Sequence, residues 1–265
     1  MNINISRDAR PQVRTLLIAT AITFALWLIP FAGLLTYPFR IFVTFIHEGG
    51  HALAALLTGN SVSALSVSMN TEGLTYTSQG NLISQILVSS AGYLGAMAYG
   101  ALLLVLIRRA VAARIVLAGS AAFILLLTVV YGLLVPMFNG TWGMVTGIPF
   151  TLFAGITLTV GLAAVARYAS ARVATFFMSF LAVQCVLNAL LNLKDLFFLS
   201  SPFGPTVHTD AVNMYQATGV PAMFWTLAWA GIAFVILSLA LRAYAVSREK
   251  SAEQQDLPFE DPLEV

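Results

Sequence analysis

Apolar residues fill this chain in long blocks separated by short polar stretches. Seven blocks of about 18 or more residues run roughly over 16–36, 39–58, 82–107, 113–136, 145–166, 173–199 and 221–243. Each is long enough to cross a hydrocarbon layer as a helix. Pro30, Pro136 and Pro149 fall in or at the ends of blocks, which predicts kinks where freed backbone groups need other partners. Between the second and third blocks the period changes. Val62 to Met69 alternates imperfectly between apolar and small polar residues, Asn70 to Gly73 offers a turn, and Leu74-Thr75-Tyr76-Thr77 is β-prone. That pattern predicts a short hairpin. Unpaired strands cannot face lipid, so it belongs at the surface or inside a protein-lined cavity. The expected fold is an all-α polytopic membrane protein of about six to seven transmembrane helices with one short β-hairpin.

Composition agrees. The chain is 59% hydrophobic and 9% charged, against about 25% charged in soluble domains. A net charge of +2 gives no case for nucleic acid, and the basic residues sit at the ends of apolar blocks, where membrane orientation accounts for them. The single cysteine, Cys185, lies in an apolar run. It excludes an intrachain disulfide framework and a cysteine metal cluster, and reads as a small core residue. Arg7, Arg10 and Arg14 precede the first block, which is too long for a signal-peptide core and reads as a retained span. The expected organisation is a basic N-terminal segment over 1–15, a membrane domain over 16–246, and a disordered acidic tail over 247–265.

Ionisable residues are so scarce that their positions stand out. Between residues 9 and 248 the acidic residues are Glu48, Glu72, Asp195 and Asp210, and the histidines of the chain are His47, His51 and His208. His47-Glu48-Gly49-Gly50-His51 is an HExxH run inside the second apolar block. On a helix it places two imidazoles on one face, with a glutamate beside them to act as general base of a zinc site. Ionisable groups within membrane segments are expensive and usually functional. Catalytic zinc takes three protein ligands and keeps a position open for water. His47 and His51 supply two; Asp195, His208 and Asp210 are the candidates for the third. Glu48 would take a proton from the attacking water and pass it to the leaving amine. Glu72 reads as a solvated turn residue.

With these residues assembled, the chain resembles the site-2 protease family of intramembrane zinc metallopeptidases, in its compact bacterial branch. Phe45-Ile46-His47-Glu48-Gly49-Gly50-His51-Ala52-Leu53-Ala54-Ala55 is similar to the family's catalytic helix, followed as there by Gly59 and a β-prone connection. Ala91-Gly92-Tyr93-Leu94-Gly95 is similar to the glycine-containing start of the next helix. The family's third ligand is an aspartate in a Leu-Asp-Gly motif, and Thr209-Asp210-Ala211 running on to Gly219 is its best counterpart here. The resemblance therefore implies Zn²⁺ held by His47, His51 and Asp210, with Glu48 catalytic. Asn188, Asn192 and Asp195 share a helix face at i, i+4 and i+7. An upstream asparagine of the family holds substrate backbone, a part that falls to Asn192, with Asp195 and His208 the alternative ligands.

The implied activity is hydrolysis of peptide bonds of transmembrane or membrane-associated substrates, in a multi-pass protein of the bacterial inner membrane. A non-enzymatic metal-binding or transport protein, or an inactive scaffold of the same fold, is the alternative. Spans three to five offer almost no ionisable groups for a transport path, which favours a localised site. The sequence leaves orientation open. Arg108, Arg109 and Arg114, then Arg167 and Arg172, then Arg242, Arg248 and Lys250 are separated by pairs of spans and suit one cytoplasmic side. Seven full crossings would then put Arg14 on the other side. Either an early segment is re-entrant or the positive-inside rule fails.

Overall fold

The computed structural model describes residues 10–29, 33–109, 112–200 and 209–245; Pro30, His208 and the acidic tail lie outside them. In chain order come α1 (Arg10–Leu28), α2 (Gly33–Leu57), β1 (Val62–Val67), β2 (Gly73–Thr77), α3 (Leu82–Arg108), α4 (Ala113–Leu126), a π-helical segment (Leu127–Leu134), α5 (Val135–Phe138), α6 (Ile148–Tyr168), α7 (Ala171–Leu199), α8 (Asp210–Thr218) and α9 (Ala222–Ala245). Among the described residues five helices are long and apolar enough to cross a membrane, with α4, the π segment and α5 forming one of them. These spans make the protein integral to the membrane, and α1 adds a shorter apolar stretch, Val13–Leu26, among the described residues. The first boundary differs from the apolar pattern. Residues 33–36 belong to α2, and Pro38 sits inside that helix. Its place in the second turn sacrifices one intrahelical bond near an end where donors are unpaired anyway.

Helix α3 is the centre of the bundle, packed against α2, α7, α8 and α9. Lipid gives helices no hydrophobic reason to associate, so close packing over small residues has to hold them together. Gly92, Ala96 and Gly100 are buried along α3 at four-residue spacing. A β-carbon on Gly50 of α2 would overlap the carbonyl oxygen of Ala91, and one on Gly100 would lie 3.0 Å from Cβ of Cys185. Cys185 is thus the small buried core residue the sequence suggests. A β-carbon on Gly155 of α6 would overlap Thr128 of the π segment.

The predicted hairpin forms, and it lies within the protein. β1 and β2 pair antiparallel from Val67↔Gly73 to Val62↔Thr77, with a bulge at Ser63. β1 is almost wholly buried and packs against α2, α6 and the π segment. Thr151 of α6 accepts a hydrogen bond from the Val67 amide at 2.7 Å. Six extended residues cover about 20 Å, as much as roughly thirteen helical residues. The turn therefore returns to the level of Thr44 on α2, and side chains there hold it. The Tyr37 hydroxyl donates to the Met69 carbonyl at 2.7 Å, Arg40 to Thr71 Oγ1 at 3.0 Å, and Thr44 to the Thr71 carbonyl at 2.7 Å. Thr71 takes φ +71°, a conformation costly for a β-branched residue; the clamps from α2 offset that cost. Gly73, expected in the turn, is the first residue of β2. Its missing side chain serves Glu48.

Candidate metal centre

Tyr37, Arg40, Thr44, Glu48 and His51 follow one another on α2 at spacings of three or four, so one face of the helix meets the hairpin turn, then β2, then the HExxH pair. Glu48 and His51 are buried in a cleft of about 750 Å³ between α2, β2, α3, α7 and α8.

The third element arrives from far along the chain. Thr209 caps α8, accepting a hydrogen bond from the Val212 amide at 3.3 Å, which sets Asp210 as the first helical residue. Asp210 Oδ2 lies 3.4 Å from His47 Nε2 and 3.3 Å from His51 Nε2. The two Nε2 atoms are 3.1 Å apart. Ligand atoms about 2.0–2.1 Å from a tetrahedral zinc are separated by about 3.3–3.4 Å, so the spacing of these three donors would suit three corners of one such site. Burial alone would raise the Asp210 carboxyl, but when His51 is protonated its charge, with hydrogen bonds from both rings, outweighs burial and holds the carboxyl well below its usual range.

Two features of α3 complete the cradle. The His51 ring presents Nδ1 to the Val88 carbonyl oxygen at 2.6 Å. A ring nitrogen so close to a carbonyl carries the proton, which leaves Nε2 as the free donor toward the centre. One turn on, a β-carbon on Gly92 would overlap Nε2 of both histidines. The space that glycine leaves open borders the place where an ion would sit. The His47 ring also packs edge-on against Tyr93 at 4.7 Å; Tyr93 stacks on Trp229, whose indole N–H donates to Ser90 at 2.9 Å.

Glu48 stands beside this trio without sharing its position. Ligating atoms of His47, Glu48 and His51 all fall within 4.8 Å of one another. The Thr75 hydroxyl donates to Glu48 Oε2 at 2.7 Å. A β-carbon on Gly73 would lie 2.5 Å from Glu48 Oε1.

The other sequence candidates fall elsewhere. Asp195 lines the cleft but is 61% exposed in its side chain and pairs with Lys194 at 2.9 Å. Asn192 lines the cleft. Asn188, on the same predicted face, donates to the Gln184 carbonyl at 2.8 Å and Gln184 donates to Thr23 at 3.0 Å; this is a buried tie between α7 and α1. Glu72 accepts from Asn70 within the turn, at 2.6 Å. Nothing in the sequence marks Val88, Gly73 or Thr75, because each acts through a contact between elements distant in the chain.

A family model described as Peptidase M50B-like matches residues 16–240. No curated protein and no solved structure matches the chain. The matched region takes in α2, the hairpin, α3 and Asp210, so it spans both halves of the cleft. In keeping with the site-2 protease resemblance, the His–Glu–His group and the match over most of the chain lead to the same place: this protein belongs to the Peptidase M50B-like family of membrane metallopeptidases.

Proposed function

We propose that this protein is an intramembrane zinc protease of the bacterial cell membrane that cuts transmembrane or membrane-associated proteins within or next to the bilayer. The observation that carries the reading is the convergence of His47 Nε2, His51 Nε2 and Asp210 Oδ2 at 3.1–3.4 Å, with a buried glutamate alongside. His47, His51 and Asp210 would hold the ion; two imidazoles and a carboxylate with one position left open are the donor set of a catalytic zinc. Bound there, zinc supplies Lewis acidity to the scissile carbonyl and to the attacking water.

Glu48 accepts the proton of that water and delivers it to the amine that leaves. The Val88 carbonyl keeps His51 in the tautomer that can ligate. Asn192 lies on the cleft wall and would bond substrate backbone. Asp195, exposed and paired with Lys194, is left to the rim.

The hairpin explains how a helical substrate could be attacked at all. A scissile carbonyl inside a transmembrane helix is shielded by its own hydrogen bond. The Ser68 amide donates to the Glu72 carbonyl at 2.8 Å, so the backbone of Glu72 faces β1. By the alternation of antiparallel ladders, Gly73 and Thr75 then turn their amides and carbonyls away from β1. They offer an edge to which an unwound substrate can add as a strand.

The test uses a single-span model peptide with a fluorophore and quencher on either side of its apolar segment, in detergent micelles. Glu48→Gln is expected to lose cleavage by about a hundredfold or more, the scale of a general base, while zinc content stays at one per chain. Cleavage that persists in the variant removes Glu48 as base. Zinc binding without any cleavage by the natural chain favours the metal-binding or inactive-scaffold alternative.

A further inference from the structure

A buried carboxylate in an apolar bundle has many rotamers open to it and few donors to choose among. Glu48 is 3% exposed. Its Oε2 accepts from Thr75 Oγ1 at 2.7 Å, and the same hydroxyl lies 3.1 Å from the Glu48 carbonyl oxygen. Two residues before Thr75 on the same strand face, Gly73 leaves room for Oε1, since a β-carbon there would stand 2.5 Å from that atom and from Cγ. One side chain of β2 thus grips the carboxylate and one absent side chain accommodates it. The strand is itself fixed to α2 through Tyr37, Arg40 and Thr44 at the turn.

We propose that Thr75 is a positioning residue for Glu48: its hydroxyl holds one carboxylate oxygen, so that the other is the one presented to the attacking water. Gly73 is the space this seat requires. The strand that offers an edge to substrate therefore also sets the proton acceptor, and a peptide laid along Gly73 and Thr75 is registered against the base by the same two residues. This rests on the reading of Glu48 as general base, and it adds a residue that neither the HExxH run nor the aspartate motif contains.

The experiment compares Thr75→Val, Thr75→Ser and Gly73→Ala on the full chain. Valine keeps the shape and removes the donor; serine keeps the donor. Three quantities are measured: bound zinc, kcat and KM on the quenched model peptide, and the affinity of acetohydroxamate for the zinc-loaded protein. A hydroxamate bound at a metal shares a proton with a neighbouring carboxylate, so its affinity reports where Glu48 sits without any turnover. Thr75→Val is expected to retain zinc and KM, to lose about tenfold or more in kcat, a fraction of what a general base contributes, and to bind acetohydroxamate several-fold more weakly. Thr75→Ser is expected to stay close to the natural chain, and Gly73→Ala to follow valine. Unchanged kcat and hydroxamate affinity in Thr75→Val would overturn the assignment. So would loss of zinc from that variant, because the hydroxyl would then be supporting the helix and not the base. If the natural chain binds zinc yet cuts nothing, the protease reading fails while the hydroxamate comparison still decides Thr75. A natural chain that binds no zinc overturns both.

Discussion

Gly92 faces His47 so closely that a β-carbon at residue 92 would overlap the Nε2 atom of that histidine. The same hypothetical atom overlaps Nε2 of His51, so it sits between two donors whose lone pairs converge. Gly92→Ala is therefore expected to abolish metal binding while leaving the bundle folded. Metal analysis of purified protein, with a thermal melt as control, checks it. An alanine variant that holds zinc at full occupancy would mean that the space left by Gly92 is not needed for the ion.

Asp210 and Asp195 should part company in the same assay. Asp210 Oδ2 lies within 3.4 Å of both imidazoles, whereas Asp195 pairs with Lys194 at 2.9 Å. Asp210→Asn is expected to weaken zinc binding by well over tenfold, since an amide gives the ion no charge. Asp195→Asn should leave the metal in place. Zinc loss at Asp195 alone would transfer the third ligand to α7.

Thr77 tests the strand edge apart from the base. The Ser78 amide donates to the Ser61 carbonyl at 2.9 Å, so alternation turns the backbone of Thr77 outward, toward the cleft it lines. Proline at an outward position spares the ladder with β1 and removes a donor from the free edge. Thr77→Pro should raise KM for the model peptide several-fold, with zinc content and the fold intact. Kinetics unchanged from the natural chain would argue that substrate does not add to β2.

The proposal that Glu48 is the general base also predicts how pairs of changes combine. If Thr75 acts only through Glu48, then in the double variant Glu48→Gln, Thr75→Val the second change should add nothing to the first, where independent residues would add their free energies. Hydroxamate affinity is the quantity to compare, because it stays measurable without turnover. A further several-fold loss on adding valine would give Thr75 a role of its own.

How much of this could be read from the chain follows the range of each interaction. His47, Glu48 and His51 are one helical turn apart, so their spacing announces them. The scarcity of ionisable groups leaves Asp195, His208 and Asp210 as candidates, and the resemblance to a Leu-Asp-Gly motif is what singles out Asp210, whose carboxylate lies within 3.4 Å of both imidazoles. The hairpin showed in its change of period. Its turn closes one residue earlier than the pattern predicts: Gly73 opens β2, whereas Thr71 takes the positive φ and α2 holds it there. Asn188 shares a predicted face with Asn192 but bonds back to Gln184 one turn earlier, and Gln184 in turn reaches Thr23 of α1. The π-helical segment Leu127–Leu134 leaves no mark in an uninterrupted apolar run. It lies where β1 and α6 press against that span.

Val88 and Gly92 are one turn apart on α3. The carbonyl of the first orients His51, and the bare α-carbon of the second borders the space between His51 and His47. Neither contribution comes from a side chain, so both are tied to where the α3 backbone lies. A slide of α3 along α2 by an ångström or so would lengthen the orienting bond and crowd the ion's volume together. On the proposed zinc reading, metal affinity would gauge the register between the two helices. A change of bilayer thickness, or a partner leaning on α3, would register as a change in how tightly the metal is held.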